Sequence, residues 1–357
     1  MTTALGIKLS VLDTAPVWQG STATTSLRNT IRLAKAVDRL GYHRFWLAEH
    51  HNMPSLSTSS PAILAGQIAA ATQHLRVGAG GVMLPNHPPL VVAEQFGTLA
   101  ALHPGRIDLG LGRAPGTDPL TARALRRQAG PLGASDFPAQ IQELLGYFAP
   151  PAGTDPGSSG PVAGQVSAVP AAEHAVPVWL LGSSGYSAQL AATLGLPFAY
   201  AHHFSPHGTV AALDAYRAEF RPSAYLSEPY SMVAVFCGVA EDDRRGELLS
   251  APLRMITAQS LRGQNPYFPP VEEAAGFAFS PDERVVVDQM YDGQIFGGPD
   301  TVRQKLGEFL KATRTDELMV MGAIQDHDER VRSYELLAEL TGLAAPGSAV
   351  PAAAAVA

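Results

Sequence analysis

The chain has 357 residues, of which 46% are hydrophobic and 16% are charged, a composition too apolar for a disordered protein. The formal net charge of −7 gives no basic signal for a nucleic acid partner or an anionic membrane surface. The single cysteine, Cys237, excludes an intrachain disulfide and a multi-cysteine zinc site. The first residues lack the pattern of a signal peptide, and no apolar stretch is long enough for a membrane span. We therefore expect a cytoplasmic protein.

Eight short runs rich in apolar residues predict strands. They cover residues 6–13, 44–49, 76–84, 105–112, 176–183, 197–204, 230–239 and 317–324. Longer segments with helical spacing lie between them, and several begin at Ser or Asp or end at Gly, as helices do. The clearest of these segments are 25–41, 60–73, 88–105, 136–148, 187–195 and 300–313.

Eight strands that alternate with helices predict a (β/α)8 barrel. The strands are continuous apolar runs, which is typical of parallel strands covered by helices. An open doubly wound sheet is the alternative, but it usually has fewer strands, and the turn after the first strand lacks the glycines that such a sheet carries.

We predict one barrel domain over residues 1–343, followed by a disordered Ala- and Pro-rich tail at 344–357. Two segments depart from the simple repeat. Residues 150–175 are rich in Pro, Gly, Ser and Ala and predict a flexible connection before the fifth strand. Residues 262–300 predict an insertion between the seventh and eighth strands.

Polar side chains collect at the ends of the predicted strands, where barrel enzymes build their active sites. They are Glu49, His50 and His51 after the second strand, Asn86 and His87 after the third, Arg113 after the fourth, Ser183 and Ser184 after the fifth, and His202 and His203 in the sixth. Polar capping explains any one strand end. It explains the clustering over five strands less well, so the sequence predicts an active site at this face.

The end of the fifth strand has features of an anion site. Gly185 and Tyr186 open a helix whose first amides lack intrahelical partners, and the helix dipole favours an anion there. The hydroxyls of Ser184 and Ser187 fit a phosphate, and capping of the helix by a serine is an equal alternative. Arg113 lies at the neighbouring strand end, and arginine binds phosphate through two hydrogen bonds. A phosphate between the fourth and fifth strands is therefore our prediction.

The third strand contains three glycines, Gly78, Gly80 and Gly81. Glycine in a strand indicates either the close approach of a ligand or tight packing inside the barrel, and the sequence favours neither. His50 and His51 are adjacent, so on a strand they point to opposite faces and are poorly placed to share an ion. We predict no metal site, with one histidine at the barrel mouth and the other packed sideways.

Three segments, 44–118, 177–204 and 297–320, closely resemble bacterial luciferase-like monooxygenases, and the similarity extends from the first strand to residue 341. The family fold is a (β/α)8 barrel, in agreement with the strand count. Family members commonly form dimers through their second and third helices. The second helix here is rich in Ala and Gly, so we predict a homodimer.

The resemblance implies a reduced flavin mononucleotide (FMN), supplied by a separate reductase, that reacts with O2 to give a C4a-peroxyflavin. It implies that His50 is the catalytic histidine and that Gly80 and Gly81 are joined by a cis peptide beneath the flavin ring. It also implies that Arg113, Ser184 and Ser187 contact the phosphate. The cofactor-binding residues predicted in this way are Ala79, Gly80, Gly81, Arg113, Ser183, Ser184, Gly185, Tyr186 and Ser187.

The sequence departs from luciferase itself at two places. Gly112 stands where luciferase has a reactive cysteine, and the loop after the seventh strand differs from the long luciferase lid. We therefore predict a two-component monooxygenase that acts on another organic substrate, such as an aldehyde, a ketone or an aromatic natural product. The alternatives are a deazaflavin-dependent hydride-transfer enzyme and a flavin-binding protein without catalysis; the presence of His50 argues against the latter.

Overall fold

The structure, a computed structural model, describes residues 5–114, 116–125, 136–148 and 166–346. Eight parallel strands close into a barrel with helices around it, which confirms the predicted fold. The barrel strands, in their order around the barrel, are β1 (Lys8–Asp13), β2 (Arg44–Leu47), β3 (Arg76–Met83), β4 (Ile107–Gly112), β5 (Val178–Gly182), β6 (Phe198–Ala201), β7 (Ser231–Val239) and β9 (Glu317–Met321). A short strand that the sequence did not predict, β8 (Ile295–Gly297), pairs with the end of β7.

Helices connect successive strands on the outside of the barrel. They are α1 (Ala23–Leu40), α2 (Pro61–Ala71), α3 (Pro89–Leu102), α4 (Pro119–Leu125), α5 (Phe137–Tyr147), α6 (Gly185–Leu194), α7 (Thr209–Glu219), α8 (Asp243–Leu248), α9 (Ala251–Leu261), α10 (Val271–Ala275), α11 (Pro281–Tyr291), α12 (Pro299–Thr313) and α13 (His327–Thr341). Local sequence signals set several helix ends. The Thr22 hydroxyl accepts a hydrogen bond from the amide of Thr25 at the start of α1, and Gly41 ends this helix with a φ of 85°.

The insertion between β7 and β9 packs beside the mouth of the barrel. The helices α10 and α11 and the strand β8 lie within the predicted insertion at 262–300. An apolar cluster, separate from the main core, joins this segment to the loop after β1 through Trp18 and Phe268, whose ring centroids are 5.2 Å apart. The insertion is therefore a packed part of the wall above the barrel.

Paired charges close the opposite end of the barrel interior. Arg44 donates to Glu317 at 2.9 Å and to Asp108 at 2.6 Å, and Arg76 also donates to Asp108, at 2.6 Å. Both carboxylates are fully buried. Burial of a charge is tolerated when it is paired and hydrogen-bonded, and these pairs link four barrel strands.

Part of the predicted organisation lies outside the described residues. This holds for 150–165 of the predicted flexible connection and for 347–357 of the predicted tail. In the part of the chain that the structure describes, no helix combines the length and the apolar character that a membrane crossing requires.

Candidate active site at the barrel mouth

A cavity of about 380 Å³ lies at the C-terminal ends of the barrel strands. Its deepest wall is formed by barrel-interior side chains such as Leu12, Trp46 and Met319. Toward the mouth it is lined by several of the polar residues that the sequence placed at strand ends. These are His50, Arg113, Ser183, Ser184, Ser187 and His203. The structure thus brings residues from four strand ends, those of β2, β4, β5 and β6, into one space.

The two adjacent histidines after β2 face different surroundings, as the alternation along a strand predicts. His50 lines the cavity, and its Nδ1 atom is buried and has no hydrogen-bond partner among the described residues. Burial lowers the pKa of His50 to about 4, although the nearby Glu49 carboxylate opposes the shift. His50 is therefore a neutral imidazole at pH 7. His51 instead places its Nε2 atom 2.8 Å from Oε1 of Glu49.

Glu49 holds the ends of β2 and β3 together. Its carboxylate is fully buried and accepts hydrogen bonds from the Nε2 atoms of His51 (2.8 Å) and His87 (2.7 Å) and from the amide of Met83 (3.0 Å). Burial alone would raise the pKa of Glu49, but the bonds from His87 and His51 outweigh burial and hold that pKa below its ordinary value. The sequence left the role of Glu49 open and missed its bond to His87, which lies 38 positions away.

The cluster of Glu49, His51 and His87 also has the donor types of a metal site, since one ligand atom from each lies within 4.8 Å of the others. A tetrahedral zinc ion about 2.1 Å from each ligand would keep its ligands about 3.4 Å apart. The two nitrogen–oxygen distances of 2.8 and 2.7 Å are shorter and are those of hydrogen bonds. The geometry therefore favours a hydrogen-bonded cluster.

The glycines of β3 serve two purposes. Gly78 meets the neighbouring strand, since a Cβ atom there would lie 2.3 Å from the carbonyl oxygen of Asp108. Gly80 and Gly81 line the cavity and are joined by a cis peptide bond, which the resemblance implied. A Cβ atom on Gly80 would lie 2.8 Å from the Trp46 ring, and one on Gly81 would lie 2.7 Å from the carbonyl oxygen of Gly110. Close packing, one of the two alternatives from the sequence, therefore applies at all three glycines, and Gly80 and Gly81 also line the cavity.

The polar end of the cavity lies between β4 and β5. The guanidinium of Arg113 stacks on the ring of Tyr186, 4.4 Å from its centroid, and no carboxylate among the described residues pairs with it. Ser184 precedes α6 in an extended conformation, but its hydroxyl makes no capping hydrogen bond. Ser187 is buried against Gly182, where a Cβ atom would lie 2.3 Å from the Ser187 hydroxyl oxygen. An arginine and two serines therefore meet at one end of the cavity.

Three predicted cofactor-binding residues do not line the cavity. Ala79 is fully buried in the main core, and its side chain does not line the cavity. Successive residues of a strand point to opposite faces, and Gly80 takes the inner face. Gly185 and Tyr186 also lie outside the lining, and Tyr186 reaches the site through its contact with Arg113.

The two histidines after β6 also have different surroundings. His203 lines the cavity, and its Nδ1 atom donates to the carbonyl oxygen of Ala234 at 3.1 Å. Burial lowers its pKa to about 4. His202 faces away from the cavity, bonds to the Thr209 hydroxyl at 2.7 Å and packs edge-on against Phe309. The sequence left the roles of both residues open.

The side of the cavity opposite Arg113 is apolar, and the sequence did not single it out. It is built by β7, α9 and the insertion. Its lining includes Phe236, Leu253, Ile256, Phe268, Met290 and Tyr291. The rings of Phe236 and Tyr291 are stacked, with centroids 5.8 Å apart and planes 14° apart. The cavity therefore has one polar and one apolar half.

Distant solved structures share this fold. The oxygenating constituent of 3,6-diketocamphane monooxygenase from Pseudomonas putida, solved in complex with FMN, has a TM-score of 0.67 at 17% identity over 94% of this chain and 97% of its own. An F420-dependent secondary alcohol dehydrogenase, in complex with an F420–acetone adduct, has a TM-score of 0.65 at 14% identity over 94% of this chain and 99% of its own. At these identities the likeness concerns the fold alone.

Nearer relatives match along nearly their whole length. The uncharacterized protein YvbT of Bacillus subtilis is 49% identical over 333 residues, which cover 93% of this chain and 96% of YvbT. A luciferase-like monooxygenase of Escherichia coli K12 is 45% identical over 331 residues, with 92% and 96% covered. The crystal structure of apo-MsnO8 has a TM-score of 0.83 at 37% identity and covers 95% of this chain and 99% of its own. The model of the luciferase-like monooxygenase family matches residues 7–317, and the chain therefore belongs to this family.

Proposed function

We propose that this protein is a flavin-dependent monooxygenase that takes reduced FMN from a separate reductase and oxygenates a small organic substrate with O2. The observation that carries the proposal is the cavity itself. Within it, an arginine and serines, a surface formed by two glycines, and a buried neutral histidine lie around one space. The family and the FMN complex of a protein with the same fold support the choice of cofactor.

The polar end of the cavity fits a phosphate group. Arg113 has no carboxylate partner among the described residues, so its guanidinium is available to an anion. The Ser184 hydroxyl makes no capping bond, and the first amides of α6 lie beside it. We assign Arg113, Ser183, Ser184 and Ser187 to the phosphate, and Tyr186 to the support of Arg113.

The surface beside β3 fits a flat ring. At Gly80 and Gly81 the room for a side chain is already taken by Trp46 and by the backbone of β4, so the cavity wall there is bare backbone. A planar ring can approach such a wall more closely than a wall of side chains. We assign this surface to the isoalloxazine ring.

We assign proton transfer to His50. When bound, reduced flavin supplies the electrons that activate O2, and the protein must hold a proton donor or acceptor beside it. His50 is neutral at pH 7, and its Nδ1 atom has no described partner, so the ring can take up or release a proton toward the cavity. The largely apolar lining of the cavity disfavours water, which suits a reactive intermediate.

The phosphate assignment is tested with Arg113→Ala. The loss of a charge-assisted contact should weaken FMN binding by about 1.5–3 kcal/mol and leave riboflavin binding nearly unchanged, because riboflavin lacks the phosphate. Titration of the apoprotein with both ligands measures this. Arg244→Ala, at an exposed position in α8, is the control and should change neither affinity. Equal weakening of both ligands by Arg113→Ala would remove Arg113 from the phosphate site.

The assignment of His50 is tested by comparing His50→Ala with His51→Ala. His50→Ala should still bind FMN, but it should lose product by about 10²–10⁴-fold, the usual contribution of a positioned proton-transfer group. The variant should then release hydrogen peroxide in place of product. His51→Ala should lower stability and leave the ratio of product to peroxide largely unchanged. A panel of aldehydes, ketones and phenols with a flavin reductase provides the assay, and a normal ratio in His50→Ala contradicts the assignment.

A deazaflavin-dependent hydride transfer is the second candidate, because an F420-dependent enzyme has the same fold. The two candidates differ in their use of oxygen. A monooxygenase consumes O2 with reduced FMN, whereas a hydride-transfer enzyme reduces its substrate with reduced deazaflavin in the absence of O2. Oxygen uptake with reduced FMN, set against anaerobic oxidation of reduced deazaflavin, separates the two.

A further inference from the structure

The apolar half of the cavity has no charge of its own to offer a ligand. Among the described residues, three charged side chains line the cavity: Asp13, Arg113 and Arg330. Arg330 donates to Asp13 at 3.0 Å, both are buried, and the pair therefore neutralises itself. Arg113 lies at the opposite, polar end. An ionised substrate group in the apolar half would thus lose its hydration without gaining a partner, which is costly.

Three hydroxyl groups in the cavity lining have hydrogen-bond partners within the protein. The hydroxyls of Thr257 and Tyr291 lie 3.1 Å apart and bond to each other, and Thr257 also donates to the Leu253 carbonyl at 2.9 Å. The Tyr200 hydroxyl lies 2.9 Å from the Ser205 carbonyl. None of these groups needs a ligand to complete its hydrogen bonds.

His203 differs from these hydroxyl groups, because only its Nδ1 atom bonds to the backbone and its Nε2 atom has no hydrogen-bond partner among the described residues. A carbonyl oxygen can only accept, so the bond from Nδ1 to the Ala234 oxygen requires the proton to be on Nδ1. In the neutral ring Nε2 is then an acceptor, and no described residue donates to it. The ring is held in place between Phe204 and Phe236, whose centroids lie 4.2 and 5.4 Å from its own. The cavity therefore presents a fixed, buried acceptor beside apolar walls.

We propose that the apolar half of the cavity binds an uncharged, largely apolar substrate, and that Nε2 of His203 accepts a hydrogen bond from its hydroxyl or N–H group. This rests on the proposed function, in which the cofactor takes the polar half. His203 then determines specificity: it selects a substrate with a donor and sets its orientation, while His50 serves the proton transfer. The aliphatic and aromatic lining of this half favours a flat or compact carbon skeleton over a chain with ionised groups.

The test uses three probes with the same naphthalene ring system, and the protein is saturated with FMN. They are 2-naphthol, which is neutral with one donor, 2-methoxynaphthalene, which is neutral without a donor, and 2-naphthoate, which is charged at pH 7. We expect calorimetric titration to find 2-naphthol bound about 2–10-fold more tightly than the ether, the worth of one neutral hydrogen bond. We expect 2-naphthoate to bind at least about 10-fold more weakly than 2-naphthol.

Two variants assign the preferences to residues. In His203→Phe, 2-naphthol should bind no better than the ether. Ala234 keeps a donor to its carbonyl in this variant, the backbone amide of His203 at 3.2 Å, so the fold need not leave that oxygen unpaired. In Ile256→Lys, the half-buried wall gains a cation, and 2-naphthoate should become the tightest of the three probes. Leu261→Lys is the matched control. Leu261 is the last residue of α9, is 52% exposed and lies outside the cavity lining, so this variant should bind the probes as the parent does.

The outcomes separate this inference from the proposed function. If the parent apoprotein fails to bind FMN in a titration, the proposed function is contradicted. The three probes are then compared on the apoprotein, where the same order of affinities tests the inference. If FMN binds but 2-naphthoate binds as well as 2-naphthol, the inference of an uncharged substrate is overturned. If the preference for 2-naphthol over the ether survives in His203→Phe, His203 is not the acceptor. The charge preference is measured on the parent protein alone, so this part of the inference can be overturned even if the His203→Phe variant is unstable.

Discussion

Replacement of Glu49 by glutamine isolates the contribution of one buried negative charge to the barrel mouth. Glutamine has nearly the same shape, and it can still satisfy the surrounding donors. Its oxygen can accept from the amide of Met83, and its amino group can donate to His51 and His87 after each ring moves its proton to Nδ1. No cavity forms, and only the long contact from the Asn86 amide, at 3.5 Å, loses its acceptor. The charge assistance of three hydrogen bonds is lost, those from His51, His87 and the Met83 amide.

The size of the loss follows from this count. A hydrogen bond to a charged group contributes about 1.5–3 kcal/mol and a neutral one about 0.5–1.5 kcal/mol, so each of the three bonds should lose about 1 kcal/mol. Removal of the buried charge also removes its desolvation cost, which offsets part of the loss. We expect Glu49→Gln to lower the free energy of unfolding by about 1–2 kcal/mol at pH 7.

The lowered pKa of Glu49 also predicts how the effect of Glu49→Gln on the free energy of unfolding changes with pH. The folded state holds the pKa of Glu49 below its ordinary value of 4.5, so the carboxylate stabilises the fold above pH 4.5. This contribution is lost as the pH falls through the lowered pKa, because the folded carboxylate is then protonated as well. The difference between the parent and Glu49→Gln should therefore shrink on acidification below pH 4.5.

Urea unfolding followed by tryptophan fluorescence, at pH 7 and at pH 4, measures both quantities. Glu335→Gln is the control, since Glu335 is 39% exposed in its ion pair with Arg332 and such pairs contribute little. It should cost less than about 0.5 kcal/mol. A Glu49→Gln variant as stable as its parent at pH 7 would refute the reasoning, and so would a difference that grows in acid.

Three further predictions concern titration, assembly and metal. Burial lowers the pKa of His202 from 6.5 to about 4, so between these pH values the unfolded chain binds a proton that the folded protein does not, and the free energy of unfolding falls as the pH falls. His202→Gln should reduce the slope of unfolding free energy against pH in this window by up to about 1.4 kcal/mol per pH unit. We expect a homodimer through α2 and α3, where Ile63 is 70% exposed, and Ile63→Lys should give a monomeric mass in light scattering at micromolar concentration. A monomeric parent would contradict this. Elemental analysis of the purified protein should find no stoichiometric metal, and an equimolar transition metal lost in His87→Ala would instead assign the Glu49 cluster as a metal site.

The barrel could be predicted from the sequence because each strand is a continuous apolar run, but the strand ends could not. The second strand, predicted over 44–49, ends at Leu47, and the sixth, predicted over 197–204, ends at Ala201. The chain stays buried beyond the last ladder hydrogen bond in both places, so apolar and buried residues continue the pattern after the strand has ended. The strand β8 was missed because three residues are too short for a periodic signal.

The polar half of the cavity was accessible from the sequence for a simple reason. In a barrel of parallel strands, all strand ends meet at one face, so residues far apart in sequence are placed together by the fold alone. The apolar half carried no such signal, because Leu253 and Phe268 are the kind of residue that any core contains. The pairing of Glu49 with His87 needed the distance between two loops, which no local pattern encodes.

The order of Glu49, His50 and His51 along the chain now has a physical explanation. A carboxylate beside a buried histidine would ordinarily hold a proton on that histidine, since the attraction favours the charged ring. Here two other donors, His51 and His87, occupy the carboxylate, and the buried side chain of His50 lines the cavity. Desolvation therefore outweighs the attraction to Glu49, and His50 stays neutral with a pKa of about 4. Removal of the His51 imidazole should raise the pKa of His50, because His51 now opposes the attraction between His50 and Glu49.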